Sequence, residues 1–233
     1  MRSRALFEKT VLASPPVAST TRRRAIALAG AGLGTALLGG CTGDDRAAID
    51  ISGSSPALEF AMTRASDGRQ VTQADYRGLI VMLYFGYTFC PDVCPTTLTN
   101  VADVLKRLGP DTERVRLLFV TVDPDRDTLP VLEEYVKNFA PQIDGLRGDA
   151  DQIAALARRY RLAYSVTPAT GGRPYEVTHG SAIYVFDATG AARLLIPSLG
   201  STAGDVAGVT ADLRRLAGET HRPGLLAWLS RLI

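Results

Sequence analysis

Cys90 and Cys94 stand four positions apart in the stretch Tyr84 to Leu98 (YFGYTFCPDVCPTTL), and each is followed by a proline, Pro91 and Pro95. Three chemistries use such a pair: a structural bridge, a dithiol redox switch, and a grip on a metal. A bridge closing so short a loop removes little unfolded-state entropy, so support is the weakest of the three. Thiolates are soft ligands that favour copper(I), zinc or iron–sulfur clusters over hard cations. Two sulfurs complete none of these sites, and the chain offers only two histidines, His179 and His221. A structural zinc site wants four protein ligands, and no second cysteine pair or histidine pair is there to supply them. Two thiolates and one imidazole is a count that copper accepts. The same residues equally suit a redox dithiol, although the thioredoxin spacing is Cys-x-x-Cys and this pair has one residue more.

These residues must be held by regular elements, and the apolar pattern says which. Leu79 to Phe85 (LIVMLYF) is a continuous apolar run of strand length, the mark of a strand covered on both faces. The cysteine loop follows its carboxyl end. Leu98, Val101, Leu105 and Leu108 then fall at helical spacing, which predicts a helix over Thr96 to Leu108 closed by Gly109-Pro110. Pro95 suits the first helical position, with Cys94 just before it. There the helix dipole and free amides favour thiolate, so both sulfurs are expected to be reactive.

Val115 to Val122 reads as a second buried strand, followed by the loop Asp123 to Asp127 and a helix over Leu129 to Phe139. A further helix is expected at Asp151 to Tyr160 and strands at Leu162 to Val166, Ser181 to Phe186 and Arg193 to Ile196, before a last helix at Thr202 to Ala217. Strand, helix, strand, helix is the signature of a mainly parallel sheet flanked by helices. Leu58 to Met62 and Gln70 to Thr72, around Ser66-Asp67-Gly68, predict an N-terminal hairpin. His179 falls just before the strand Ser181 to Phe186.

The 233 residues, 46% of them hydrophobic, allow one sizeable core plus extensions. Arg22-Arg23-Arg24, then the uncharged run Ala25 to Gly40, then Cys41 follow the order of an export signal. The run is short for a membrane span of about 20 residues. Leu38-Gly39-Gly40-Cys41 resembles a bacterial lipobox, which makes Cys41 a lipid anchor, and the paired arginines resemble a twin-arginine signal. Without residues 1–41 the chain carries 20 basic against 23 acidic residues, a net −3, and no clustered basic face remains to suggest nucleic acid. The reading divides the chain into a signal at 1–41, a tether at 42–57, a domain at 58–217 and an amphipathic tail at 218–233. In an exporting, oxidising compartment the two remaining cysteines are better placed for chemistry than for support.

The stretch Tyr84 to Pro95, the loop Asp123 to Thr128 (DPDRDT) and the histidine ahead of a strand, in that order, resemble the SCO/SenC family over roughly Leu58 to Leu216. These are thioredoxin-like copper proteins that help assemble the copper centre of cytochrome c oxidase. The resemblance implies a thioredoxin-like α/β fold and copper held by Cys90, Cys94 and His179. It places the loop carrying Asp123, Arg126 and Asp127 near the metal face, where the charges would orient a partner. The partners it implies are the copper-bearing oxidase subunit, other envelope copper chaperones or thiol reductants, and a membrane through the lipid, all in the bacterial cell envelope. Reduction of partner disulfides by Cys90 and Cys94 is the alternative function. Family members often carry an acid directly before the histidine; here that position is Thr178.

Overall fold

The computed structural model describes residues 47–167, 169–170, 175–197 and 199–220. The expected signal at 1–41 with Cys41, the first part of the tether, His221 and the tail beyond lie outside them. The elements run β1 (Ile49–Asp50), β2 (Ala61–Arg64), β3 (Gln70–Thr72), β4 (Ile80–Gly86), α1 (Val93–Leu108), β5 (Val115–Thr121), α2 (Leu129–Val136), β6 (Ile143–Arg147), α3 (Ala150–Arg159), β7 (Tyr164–Thr167), β8 (Glu176–His179), β9 (Ile183–Phe186), β10 (Ala192–Ile196) and α4 (Val206–Thr220).

Eight strands form one mixed sheet in the order β1-β10-β9-β4-β5-β6-β2-β3. Only its centre is parallel, β4 with β5 and β5 with β6; the other pairings are antiparallel. The expectation of a mostly parallel sheet therefore holds for the three strands that the crossover helices α1 and α2 connect, and the hairpins at either side pair antiparallel. Every residue of β4 is buried, as its unbroken apolar run requires. The expected N-terminal hairpin forms, with its first strand at Ala61–Arg64 in place of Leu58 to Met62.

Three strands are absent from the sequence reading. β6 is broken by Asp144, Gly145 and Arg147, and it forms because β5 offers it a parallel edge. Gly145 is required there, since a Cβ would come 2.7 Å from Leu132 of α2. β8 is four residues that pair with β7 in a second, two-stranded sheet. β1 lies in the stretch read as tether: it pairs with β10, Ala48 is buried, and the Ala48 amide donates to the Asp212 carboxylate at 3.0 Å. Residues 47–57 thus belong to the folded unit.

The β9–β10 turn is tied by Asp187, whose Oδ1 accepts from the Thr189 amide at 2.9 Å, the Thr189 hydroxyl at 2.6 Å and the Ala191 amide at 3.1 Å, while Arg193 pairs with Oδ2 at 3.3 Å. Burial works against the charge, but these donors outweigh it and hold the carboxyl below its ordinary value. A depressed carboxyl adds stability above the unfolded-state value of about 3.9 and loses it as pH falls through the folded value. Asp187→Asn cannot ionise. The stability gap between parent and variant in urea unfolding is expected to narrow as pH drops from about 5 towards 2.

Candidate metal centre

Three segments far apart in sequence meet at the carboxyl end of β4. Cys90 lies in the loop after β4, Cys94 in the first turn of α1, and His179 at the end of β8. Their ligand atoms all lie within 4.8 Å of one another. The Cys94 Sγ to His179 Nε2 distance is 3.3 Å across a separation of 85 residues.

The helix begins earlier than the prolines suggest. Val93 and Cys94 are already helical, so Pro95 sits inside the first turn, where its missing N–H would have had no intrahelical acceptor. Asp92 at the cap position makes no side-chain cap. The Cys94 amide donates instead to Cys90 Sγ at 3.5 Å. Burial opposes a thiolate at Cys90, yet the backbone amides of Asp92, Cys94 and Val93 and the Cys94 side chain outweigh it, and the thiol sits below its ordinary value.

Cys94 behaves oppositely, which corrects the expectation of two reactive sulfurs. It is 0% exposed. Burial pushes its thiol up to about 12, with the Cys90 sulfur adding to the rise and hydrogen bonds from the Tyr87 backbone and Tyr84 opposing it. In reduced, metal-free protein at neutral pH, iodoacetamide is expected to modify half-buried Cys90 at least roughly tenfold faster than Cys94. Peptide mass spectrometry over a time course checks this, and equal rates would contradict it.

His179 is presented as a neutral ligand. Its Nδ1 lies 2.9 Å from the Gly180 carbonyl oxygen, which can only accept, so Nδ1 carries the proton and Nε2 turns a lone pair towards the sulfurs. Burial lowers its pKa, against the opposing pull of that carbonyl. The ring stands edge-on to Tyr87 at 5.7 Å and to Tyr84 at 6.3 Å. Thr178 points across the hairpin to Ser165 at 2.7 Å. Orientation of the imidazole falls to the Gly180 carbonyl, the kind of outer contact that tunes a metal ligand.

Tyr84, Gly86 and Tyr87, inside the stretch Tyr84 to Leu98, support the site without any sequence pattern that marks their role. Tyr84 places its hydroxyl 3.6 Å from Cys94 Sγ and 3.3 Å from Thr97 Oγ1. A Cβ on Gly86 would meet the Phe119 ring at 2.5 Å and Cys94 Sγ at 3.0 Å, so only glycine lets the sulfur settle against the strand end. The Tyr87 hydroxyl donates to the Val177 carbonyl at 3.4 Å.

The loop after β5 turns two of its three acids inward and leaves Asp125 exposed. Asp123 is 1% exposed and Asp127 0%. Asp127 accepts from the Thr88 amide at 3.0 Å, the Thr88 hydroxyl at 2.6 Å and the Thr121 hydroxyl at 2.6 Å. Asp123 accepts from Tyr175 Oη at 2.6 Å and Arg126 Nε at 2.5 Å. The partner-facing role expected of Asp123 and Asp127 is replaced by internal support of the cysteine loop; of the three residues expected to face a partner, Arg126 alone, with its side chain 31% exposed, reaches solvent, beside exposed Asp125.

Fold and site together define a thioredoxin-like domain that carries two thiols and one imidazole at a strand–helix junction, a donor set matched to a soft metal ion. The chain matches the SCO1/SenC family over residues 53–217, and it belongs to that family. It is 40% identical over 179 residues to the bovine (Bos taurus) mitochondrial SCO2 homologue, covering 73% of this chain and 66% of that protein. It spans about half to two thirds of the length of such relatives. Among solved structures, copper-bound ScoI of Bradyrhizobium japonicum is 35% identical with a TM-score of 0.59, covering 70% of this chain and 99% of that one. Apo Sco1 of Thermus thermophilus is 32% identical with a TM-score of 0.65, covering 73% and 96%.

Proposed function

We propose that this protein is a copper metallochaperone, which binds one copper ion through Cys90, Cys94 and His179 and delivers it to the copper-bearing subunit of cytochrome c oxidase. The observation that carries this reading is the convergence of two sulfurs and an unprotonated imidazole nitrogen within 4.8 Å. The copper bound by the related Bradyrhizobium protein supports it. Copper is cargo here, so the site must release as well as bind. Three donors leave the ion open to an incoming ligand, and transfer proceeds by exchange, partner donors replacing these one at a time.

In the same reading, residues 1–41 are an export signal, Cys41 carries the lipid, and the residues between it and the folded unit tether the domain on the extracytoplasmic side of the bacterial cell envelope. Among the described residues no helix is long and apolar enough to cross a membrane.

Titration of the reduced protein with copper tests the proposal. One equivalent is expected to bind with a sulfur-to-copper charge-transfer band, and failure to bind at stoichiometric concentration would remove the reading. A second reading, reduction of partner disulfides, draws on the asymmetry of the two thiols. Cys90 attacks, Cys94 resolves the mixed disulfide, and the partner leaves as a dithiol while this pair is oxidised to a disulfide. Disulfide reduction measured with and without copper separates the two.

A further inference from the structure

Among the described residues, the β7–β8 hairpin that carries His179 forms a two-stranded sheet of its own, outside the ladder of the eight-stranded sheet. Its position over the cysteines comes from side chains: Val177 is buried in the core, the Tyr87 hydroxyl donates to the Val177 carbonyl, and a third set of contacts converges on Arg126. The Arg126 guanidinium lies 3.9 Å from the centre of the Tyr175 ring, 4.7 Å from that of Phe89 and 5.8 Å from that of Tyr87. Tyr175 immediately precedes β8, while Tyr87 and Phe89 belong to the cysteine loop. Buried Asp123 closes the arrangement by accepting from both Arg126 Nε and the Tyr175 hydroxyl. One cation therefore joins the histidine hairpin, the cysteine loop and the loop after β5.

We infer that Arg126 is a positioning residue, a latch whose stacking against Tyr175 and Phe89 holds the His179 hairpin over Cys90 and Cys94. Cys94 is fixed by α1 and the Cys90 loop is tied to Asp127 through Thr88, whereas the imidazole depends on the latch. Opening it withdraws His179 and leaves copper on two thiolates, so the imidazole is the first ligand exchanged. Planarity matters as well as charge: a guanidinium stacks on a ring and bonds a carboxylate at once, which an ammonium cannot reproduce. The copper part of this inference rests on the proposed function; the positioning part does not.

The test uses Arg126→Lys, Tyr175→Ala and the double variant. In the metal-free protein, amide hydrogen exchange at Glu176 and Thr178, the β8 positions whose amides face β7, is expected to rise about tenfold in each single variant, while α1 amides stay at parental rates. Unchanged exchange in the hairpin overturns the latch whether or not copper binds. With copper(II) loaded, dissociation is expected to accelerate about tenfold, with the sulfur charge-transfer band kept and the imidazole nitrogen hyperfine coupling weakened. A lowered melting temperature with unaltered nitrogen coupling would reduce Arg126 to a structural residue and overturn the inference. The double variant should add little to either single one, because both remove the same contact; full additivity counts against the latch. Should Arg126→Lys not fold, Tyr175→Ala carries the exchange and hyperfine measurements by itself.

Discussion

Cys94→Ser is expected to lower copper affinity by more than about 100-fold while leaving the fold intact. Changes in the contacts around a metal ligand typically cost about 10–100-fold, and loss of the ligand itself must exceed that. A serine hydroxyl is a hard, neutral donor in place of a soft thiolate, which a copper(I) ion disfavours most. The fold tolerates the exchange because the smaller side chain can still meet the Tyr84 hydroxyl and His179 Nε2, the two groups that Cys94 Sγ now approaches at 3.6 and 3.3 Å. The stability cost should stay near about 1 kcal/mol, the worth of a typical hydrogen bond. Competitive titration against a chelator of known affinity, with urea unfolding on the same samples, reads both quantities. Copper binding equal to the parent would take Cys94 out of the site, and a collapse in stability would show the thiol to be mainly structural.

Asp127→Ala should be the most damaging change outside the ligand set, by about 3 kcal/mol. It strips an acceptor from three donors at once, the Thr88 amide, the Thr88 hydroxyl and the Thr121 hydroxyl. A buried donor left without a partner costs its full desolvation, and the Thr121 hydroxyl, 0% exposed, is such a donor. Copper affinity should fall with it, since Thr88 is two residues from Cys90 and the cysteine loop hangs from this anchor. Asp127→Asn keeps the shape and should cost less than half as much. Burial raises the Asp127 carboxyl above its ordinary value, the threonine donors opposing and Asp123 reinforcing the rise. A raised carboxyl favours the folded state at low pH and loses that contribution as pH rises through the folded value. The Asn variant lacks that titration, so its deficit against the parent should shrink towards higher pH in urea melts. A deficit that grows instead would mean that the ionised carboxylate is the preferred form.

Opposite signs at Asp127 and Asp187 illustrate what a local reading misses. Both are acids in loops that follow strands. One is walled in beside another acid, and the other is surrounded by amides and an arginine. Nothing in their sequence neighbourhoods distinguishes them, and the same limit turned the expected outward charges of Asp123 and Asp127 into buried acceptors.

Where pattern is local, the sequence was sufficient. The seven buried residues of β4, the apolar spacing of α1 and the punctuation of Pro91 and Pro95 already locate two cysteines at a strand–helix junction. Strand burial and helix periodicity each show within a few residues, because they depend on neighbours in the chain. The donor count needed for a soft metal was equally legible.

Only the tertiary structure decided that His179 belongs to the pair. An imidazole 85 residues away is brought in by a hairpin outside the main sheet, and that hairpin is held by Tyr87, Tyr175 and Arg126 rather than by any periodic pattern. It also decided that one sulfur is buried and the other half-exposed, that residues 47–57 join the sheet, and that β6 exists at all. Each of these depends on which distant surfaces meet, a quantity set by the packing of the whole chain and not written in any single segment of it.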